Sequence, residues 1–192
     1  MTEPHVLRGR VFAGSNVSDA TIADCSDAIA AATGTRVVPG TLNVWLDRPI
    51  ALDNRRAATI PRPRLALWPA TLNGQPVWIQ RYDRTVLHVV ELLADRHLRR
   101  ALDLRDGDTV EIALDPDLLV PVPWLGRAAW AAFWRGRGRR AFVSRRYMLF
   151  ARRWCRRLGA TQDSVETPSM RLLTGLLREA AGRARSRAQP DR

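Results

Sequence analysis

The segment Pro39-Gly40-Thr41-Leu42-Asn43-Val44-Trp45-Leu46 constrains the fold more than any other. Pro-Gly marks a turn, and the residues after it alternate with a period of two, which predicts a strand leaving a tight turn. Leu42, Val44 and Leu46 then share one face, and Thr41, Asn43 and Trp45 share the other. This second face opens with a hydroxyl and a carboxamide two residues apart. Oxygen donors of this kind suit a hard cation such as magnesium, which keeps waters and substrate phosphates among its ligands. They equally suit an ordinary strand whose Thr and Asn serve the turn or face water.

The flanking segments place this strand among several others. Leu7 to Phe12 reads as a first strand, followed by the small polar loop Gly14-Ser15-Asn16-Val17-Ser18-Asp19. Ser18 or Asp19 can cap a helix over residues 20–32, with Ile22, Cys25, Ile29 and Ala32 on its buried stripe and Gly34 as its stop. A strand, a small-residue loop and a helix start can hold phosphate through converging backbone N–H groups, or can be a plain connection. Residues 51–64 read as extended or loop. Leu65 to Thr71 and Pro76 to Gln80 read as strands joined by an Asn73-Gly74 hairpin. Thr85 to Leu93 is an apolar, β-branched run interrupted by His88 and Glu91. Asp95 can cap a short helix from Arg96 to Leu102, residues 105–108 form a tight turn, and Thr109 to Leu114 alternates as a last strand. Many short strands with two helices predict a mainly β fold, a small β-barrel with helical decoration.

Three features of this body can carry chemistry. Glu91 interrupts an apolar strand, where an unpaired carboxylate is costly. It reads either as a general base or as a residue on the strand's wet face. Arg96 and Arg99 sit near a helix start and can bind anions or form a solvated basic face. His88 and His97 lack the neighbours a zinc site needs, and neither a P-loop nor a dinucleotide fingerprint is present.

Charge divides the chain at about residue 115. Residues 1–115 hold 14 Arg and 14 acidic residues, whereas residues 116–192 hold 17 Arg against 5, so the net charge of +12 belongs to the C-terminal part. All 31 basic residues are Arg, so the asymmetry carries more information than Arg abundance does. A neutral body with a basic extension predicts an extension that meets anions. No apolar run is long enough to span a bilayer, the N-terminus lacks a signal-peptide core, and two cysteines make no disulfide framework. These features predict a soluble, cytoplasmic protein, with a membrane-peripheral location as the alternative that the extension opens.

The order of the segments is more specific than any one of them. Pro39-Gly40-Thr41-Leu42-Asn43-Val44, then Val90-Glu91-Leu92-Leu93, Leu98-Arg99 and Leu104-Arg105-Asp106-Gly107-Asp108 resemble the archaeal-type, CTP-dependent riboflavin kinases over roughly residues 6–115. The resemblance implies a six-stranded barrel of the cradle-loop type that transfers the γ-phosphoryl of CTP to riboflavin, giving FMN. It further implies that Thr41 and Asn43 ligate magnesium and that Thr85 and Glu91 meet the flavin or its ribityl chain. The nucleotide would lie against residues 14–19 and against Arg96, His97, Leu98 and Arg99. Phosphoryl transfer needs mainly positioning and charge neutralisation, and Glu91 would orient or deprotonate the acceptor hydroxyl. The departure is in the first loop, where the family's Gly-x-Gly-x-Gly becomes Gly14-Ser15-Asn16-Val17-Ser18. Asn16 tolerates left-handed backbone angles, but Val17 and Ser18 add bulk beside the phosphates. Weaker use of CTP, a different donor and lost catalysis all follow as options, and the acceptor can be another alcohol.

Residues 116–192 lie outside the resemblance. After Pro116, Pro121 and Pro123, an Ala-rich segment carries Trp124, Trp130, Phe133 and Trp134, and residues 135–140 break it. Residues 141–158 read as a helix that interleaves Phe142, Tyr147, Phe150 and Trp154 with paired Arg and stops at Gly159. A further helix is expected over 168–181 and disorder over 182–192. Arg with interleaved aromatics admits three roles: a helical subdomain packed on the barrel, an interfacial membrane helix, or a nucleic-acid grip.

Overall fold

A computed structural model describes residues 2–14, 18–61, 65–82, 85–137, 144–158 and 161–162. Its strands are β1 (His5–Phe12), β2 (Leu42–Leu46), β3 (Ala51–Leu52), β4 (Ala58–Ile60), β5 (Leu65–Leu72), β6 (Gln75–Tyr82), β7 (Val89–Leu93), β8 (Thr109–Leu114) and β9 (Leu119–Val120). Its helices are α1 (Ser18–Asp24), α2 (Ser26–Thr33), α3 (Leu98–Ala101), α4 (Trp124–Phe133) and α5 (Arg145–Arg157).

The main sheet runs β4-β5-β6-β7-β2-β1-β8, and β8 pairs back onto β5 through Thr71↔Ala113 and Leu72↔Ile112. That return pairing closes six antiparallel strands into a barrel, the predicted architecture. Closure removes the exposed edges that an open sheet would present. The barrel is filled by alternate residues of each strand, among them Leu42, Val44 and Leu46 of β2, Ile79 of β6, and Val90 and Leu92 of β7. The alternation read along residues 42–46 is therefore an inside–outside alternation. Asn73 and Gly74 both have positive φ, 47° and 82°, as a two-residue hairpin between right-twisted strands requires.

Two helical layers cover part of the outer wall. Ile22, Cys25 and Ile29 of the first layer pack with Leu65, Leu67 and Leu93. Ala129 of α4, Trp134, and Ala151 and Cys155 of α5 pack on Phe12, Val86 and Val89. Trp134 is held edge-on to Trp45 and Tyr147, and its indole N–H donates to Cys155 Sγ at 3.2 Å. The extension thus packs aromatic side chains on the barrel, while Trp124, Leu149, Phe150 and Trp154 stay exposed. Among the described residues no helix is long and apolar enough to cross a membrane. The expected stop at Gly159, the helix over 168–181 and the disorder over 182–192 fall outside the described residues.

The barrel base is closed from inside and from the C-terminal end. Arg81 is buried, and its guanidinium donates to the carbonyls of Ile50, Leu87 and Val89 and to Gln162 Oε1 at 2.8–3.2 Å. Gln162 donates in turn to Leu52 O and Asn54 Oδ1, and Thr161 bridges Val86. The β3–β9 ribbon ties the start of the extension to the same end.

Three local expectations are corrected. The helix over 20–32 is two helices broken at Cys25, whose thiol bonds Thr21 O at 2.9 Å; the surrounding Asp24, Ser26 and Asp27 are weak formers of helix interiors. Asp95 does not cap the following helix. Its carboxylate takes both arms of the adjacent Arg96 guanidinium at 2.7 and 2.9 Å, and α3 starts after His97 without a side-chain cap. The strand expected over 85–93 begins only at Val89, because Thr85–His88 turn around the Arg81 guanidinium and present Leu87 O to it.

Candidate active site

Antiparallel register sets the site's central feature. Phe12 pairs with Asn43, Asn43 with Glu91, and Glu91 with Gln80, one row across β1, β2, β7 and β6. Directly opposed residues share a face, and the neighbouring Leu42, Leu92 and Ile79 fill the barrel, so this row lies on the outer wall. The helical layers cover its flanks. Trp78 and Leu93 belong to the cluster under α1 and α2, and Phe12 and Val89 to the cluster under α4 and α5. Asn43 and Glu91, both half-buried, are left between them.

Beside this row, a cleft of about 110 Å³ lies between the start of β2, the end of β7 and α3. Thr41, Arg96, His97, Leu98 and Arg99 line it, with Gly40, Leu42 and Leu92. The fold therefore gathers the Thr41 hydroxyl and the 96–99 segment around one cavity and sets Asn43 two residues along from Thr41. Gly14 arrives from β1 so close to Asn43 that a Cβ on it would lie 2.4 Å from Asn43 Nδ2. Ser15, Asn16 and Val17 lie outside the described residues, and Ser18 and Asp19 form the first turn of α1.

The charged groups at the rim are largely committed to protein partners. Arg96 pairs with Asp95, and the pairing holds the Asp95 carboxyl below its usual range. Arg99 donates to Phe12 O at 2.8 Å and pairs with Asp106 at 2.9 Å, tying the end of β1 to the turn before β8. Thr85 does not line the cleft. Its hydroxyl accepts from Tyr82 N at 3.1 Å, and its carbonyl accepts from Gln162 N. No cluster of three or more His, Cys, Asp or Glu suited to a metal occurs among the described residues.

Two residues of this wall escaped the sequence reading. Gln80 is 1% exposed, and neither polar atom of its amide has a hydrogen-bond partner among the described residues. Its signal was a polar side chain ending the apolar run Val77-Trp78-Ile79. Arg152 of α5 is the other. Burial lowers its guanidinium pKa, and the nearby Glu91 carboxylate acts against that shift. Nothing in the spacing of the two residues announces this proximity.

By architecture the chain contains a small closed antiparallel barrel whose candidate polar groups stand on the outer wall. Residues 20–114 match the CTP-dependent riboflavin kinase family model, described as a domain of unknown function, DUF120. The chain is similar to the riboflavin kinase of Staphylothermus marinus, 28% identical over 123 residues that cover 58% of this chain and 92% of that protein. It is 34% identical to the riboflavin kinase of Methanopyrus kandleri over 41% of this chain and 60% of that protein. It is also 34% identical to the Methanocella arvoryzae riboflavin kinase over 40% of this chain and 41% of that protein.

Proposed function

We propose that this chain is a riboflavin kinase that uses CTP and magnesium to convert riboflavin to FMN. The observation that carries the reading is the placement of Asn43 directly opposite Glu91, with Gly14 against the Asn43 carboxamide. This brings an oxygen donor, a carboxylate and Gly14 to one spot, next to the cleft lined by Thr41 and residues 96–99. The family match and the three similar proteins named riboflavin kinase support the same assignment.

In this reading Gly14 and the loop after it approach the nucleotide phosphates, and the 96–99 segment holds the nucleotide. Glu91 accepts a hydrogen bond from the acceptor hydroxyl and orients it for in-line attack on the γ-phosphoryl, taking its proton as the new P–O bond forms and the bond from that phosphorus to the departing CDP oxygen breaks. Thr41 and Asn43 offer neutral oxygens, a donor set that fits magnesium delivered with the triphosphate, whose phosphates supply the balancing charge. When bound, that ion would neutralise charge on the transferring group. Thr85 serves the acceptor side in this scheme from the turn after β6.

A second reading, nucleotide binding without turnover, draws on the pairing of Arg96 and Arg99 with Asp95 and Asp106. Those cations already have carboxylate partners. Incubation with riboflavin, magnesium and either CTP or ATP separates the readings. FMN formed from CTP, and lost in the Thr41→Ala/Asn43→Ala variant, is the expected result. FMN from ATP alone changes the donor. CTP binding without FMN from either nucleotide favours the second reading.

A further inference from the structure

We propose that the outward flank of α5 is a docking surface for an anionic lipid bilayer, with Phe150 and Trp154 entering the headgroup region and the arginines beside them meeting lipid phosphates. This surface is independent of the kinase reading.

Only one stripe of α5 is used in docking on the barrel. Ala151 and Cys155 are buried against Phe12, Val86 and Val89, and Tyr147 packs with them. Phe150 and Trp154 each precede a docked residue by one position, which turns them about 100° away from that stripe. Four residues apart, they stand side by side with ring centroids separated by 6.5 Å. Phe150 also meets Phe133, at the end of α4, edge-on at 6.0 Å. Even so, Phe150 is 53% exposed, Trp154 39% and Leu149 64%. Adjoining apolar side chains of this size left in water on one helix mark an interaction surface.

Charge identifies the partner. Arg146, Arg153 and Arg157 form a second stripe at helical spacing, bordered by Phe150 and Trp154 on one side and by Leu149 on the other. The Arg157 guanidinium stands 5.6 Å over the Trp154 ring. Residues 118–162 hold eleven Arg and no acidic residue. On the barrel, by contrast, Arg8, Arg96 and Arg99 pair with Glu111, Asp95 and Asp106. Among the described residues no carboxylate pairs with Arg146, Arg153 or Arg157.

Unpaired cations edged by apolar rings suit a helix lying in a membrane interface. There the rings sit at headgroup depth, and the guanidiniums bond phosphate while their stems cover apolar area. Single-stranded nucleic acid also accepts arginine and stacked rings. Leu149 separates the two partners, because it has no π face to offer a base and gains only by entering acyl chains.

Co-sedimentation of the full chain with vesicles tests the assignment, using phosphatidylcholine alone or with about one-third phosphatidylglycerol. Partitioning onto the anionic vesicles is expected to exceed that onto the neutral ones by about tenfold or more. Phe150→Ser/Trp154→Ser and, separately, Arg146→Gln/Arg153→Gln/Arg157→Gln are each expected to lower it by about tenfold or more. Trp124→Ser removes a more exposed tryptophan, about 180° round α4 from Phe133, and is expected to keep it within about twofold. The aromatic and arginine variants probe the surface separately, so misfolding of one leaves the other to decide. No preference for anionic vesicles, undiminished binding by a folded variant of either kind, or an equal loss in Trp124→Ser overturns the proposal. So does a dimer that Phe150→Ser/Trp154→Ser dissociates, which would make a second copy the occupant. Retention of single-stranded poly(U) without vesicle binding overturns it in favour of nucleic acid.

Discussion

The Asn43 carboxamide occupies the space where a side chain on Gly14 would begin, its Nδ2 2.4 Å from the position of that missing Cβ. Gly14→Ala forces the amide aside. The obstructing atoms are the far end of a side chain, so a rotamer adjustment relieves the clash at a cost of about 1 kcal/mol. Thermal melting should therefore change by only a few degrees, by about 5 °C or less. Magnesium-dependent CTP binding, measured by calorimetry, should weaken by about tenfold or more, because the displaced amide is the proposed metal ligand.

Arg81 gives the opposite pattern, a loss of stability before any loss of chemistry. Burial pushes its pKa down to about 9, and three carbonyls and the Gln162 amide oxygen accept from the ion it remains at neutral pH. Arg81→Leu leaves buried acceptors unsatisfied and should cost about 3 kcal/mol or more in urea unfolding at pH 7. Gln162→Ala removes an acceptor for that guanidinium and a donor to Leu52 O, and should cost about 2 kcal/mol.

His88 predicts a pH dependence with a definite sign. It is buried between Trp45 and Trp134, and burial, aided by the charge on Arg81, lowers its pKa to about 3. The unfolded chain takes up the proton near pH 6.5 while the folded chain refuses it, so stability falls as pH drops below about 6.5 and levels off near 3. Between pH 7 and 5 this amounts to about 2 kcal/mol. His88→Leu should flatten that part of the stability profile, measured by urea unfolding at each pH. Asp53 and Asp95, whose pKa values are lowered by Arg partners, act only at more acidic pH.

Trp134 decides whether α4 and α5 stay docked. It is 1% exposed and touches Trp45, His88 and Tyr147, while the Tyr147 hydroxyl donates to Phe133 O. Trp134→Ala removes the side chain common to those contacts, at about 3–5 kcal/mol. Limited proteolysis should then cut within residues 135–158 well before it cuts the barrel.

The parts of this fold that could be read from sequence are those set by neighbouring residues. The period-two run from Leu42 to Leu46 named both the strand and its inward face, and Asn73-Gly74 named a hairpin, because turn angles are a local matter. Thr41, Asn43 and Glu91 drew attention as oxygen donors on strands, but the register that sets Asn43 against Glu91 depends on two segments far apart in sequence. Closure through Thr71↔Ala113 is equally non-local. Arg81 was passed over because an arginine at a strand end is normally solvated. What identifies it as a core residue is the return of Gln162 from far along the chain, and no window around Arg81 contains that information.

The attachments of the extension bear on how the chain can be divided. Leu119 and Val120 pair with Leu52 and Ala51, and Gln162 comes back to bond Leu52 again. The chain between them is a belt buckled at both ends to the same short strand. A protein engineer who trims the gene at the last barrel strand, near residue 115, would therefore not obtain a minimal enzyme. The product would be a barrel in which Leu52 has lost its strand and amide partners and Arg81 one of its four acceptors, and the shortest piece worth expressing runs through Gln162.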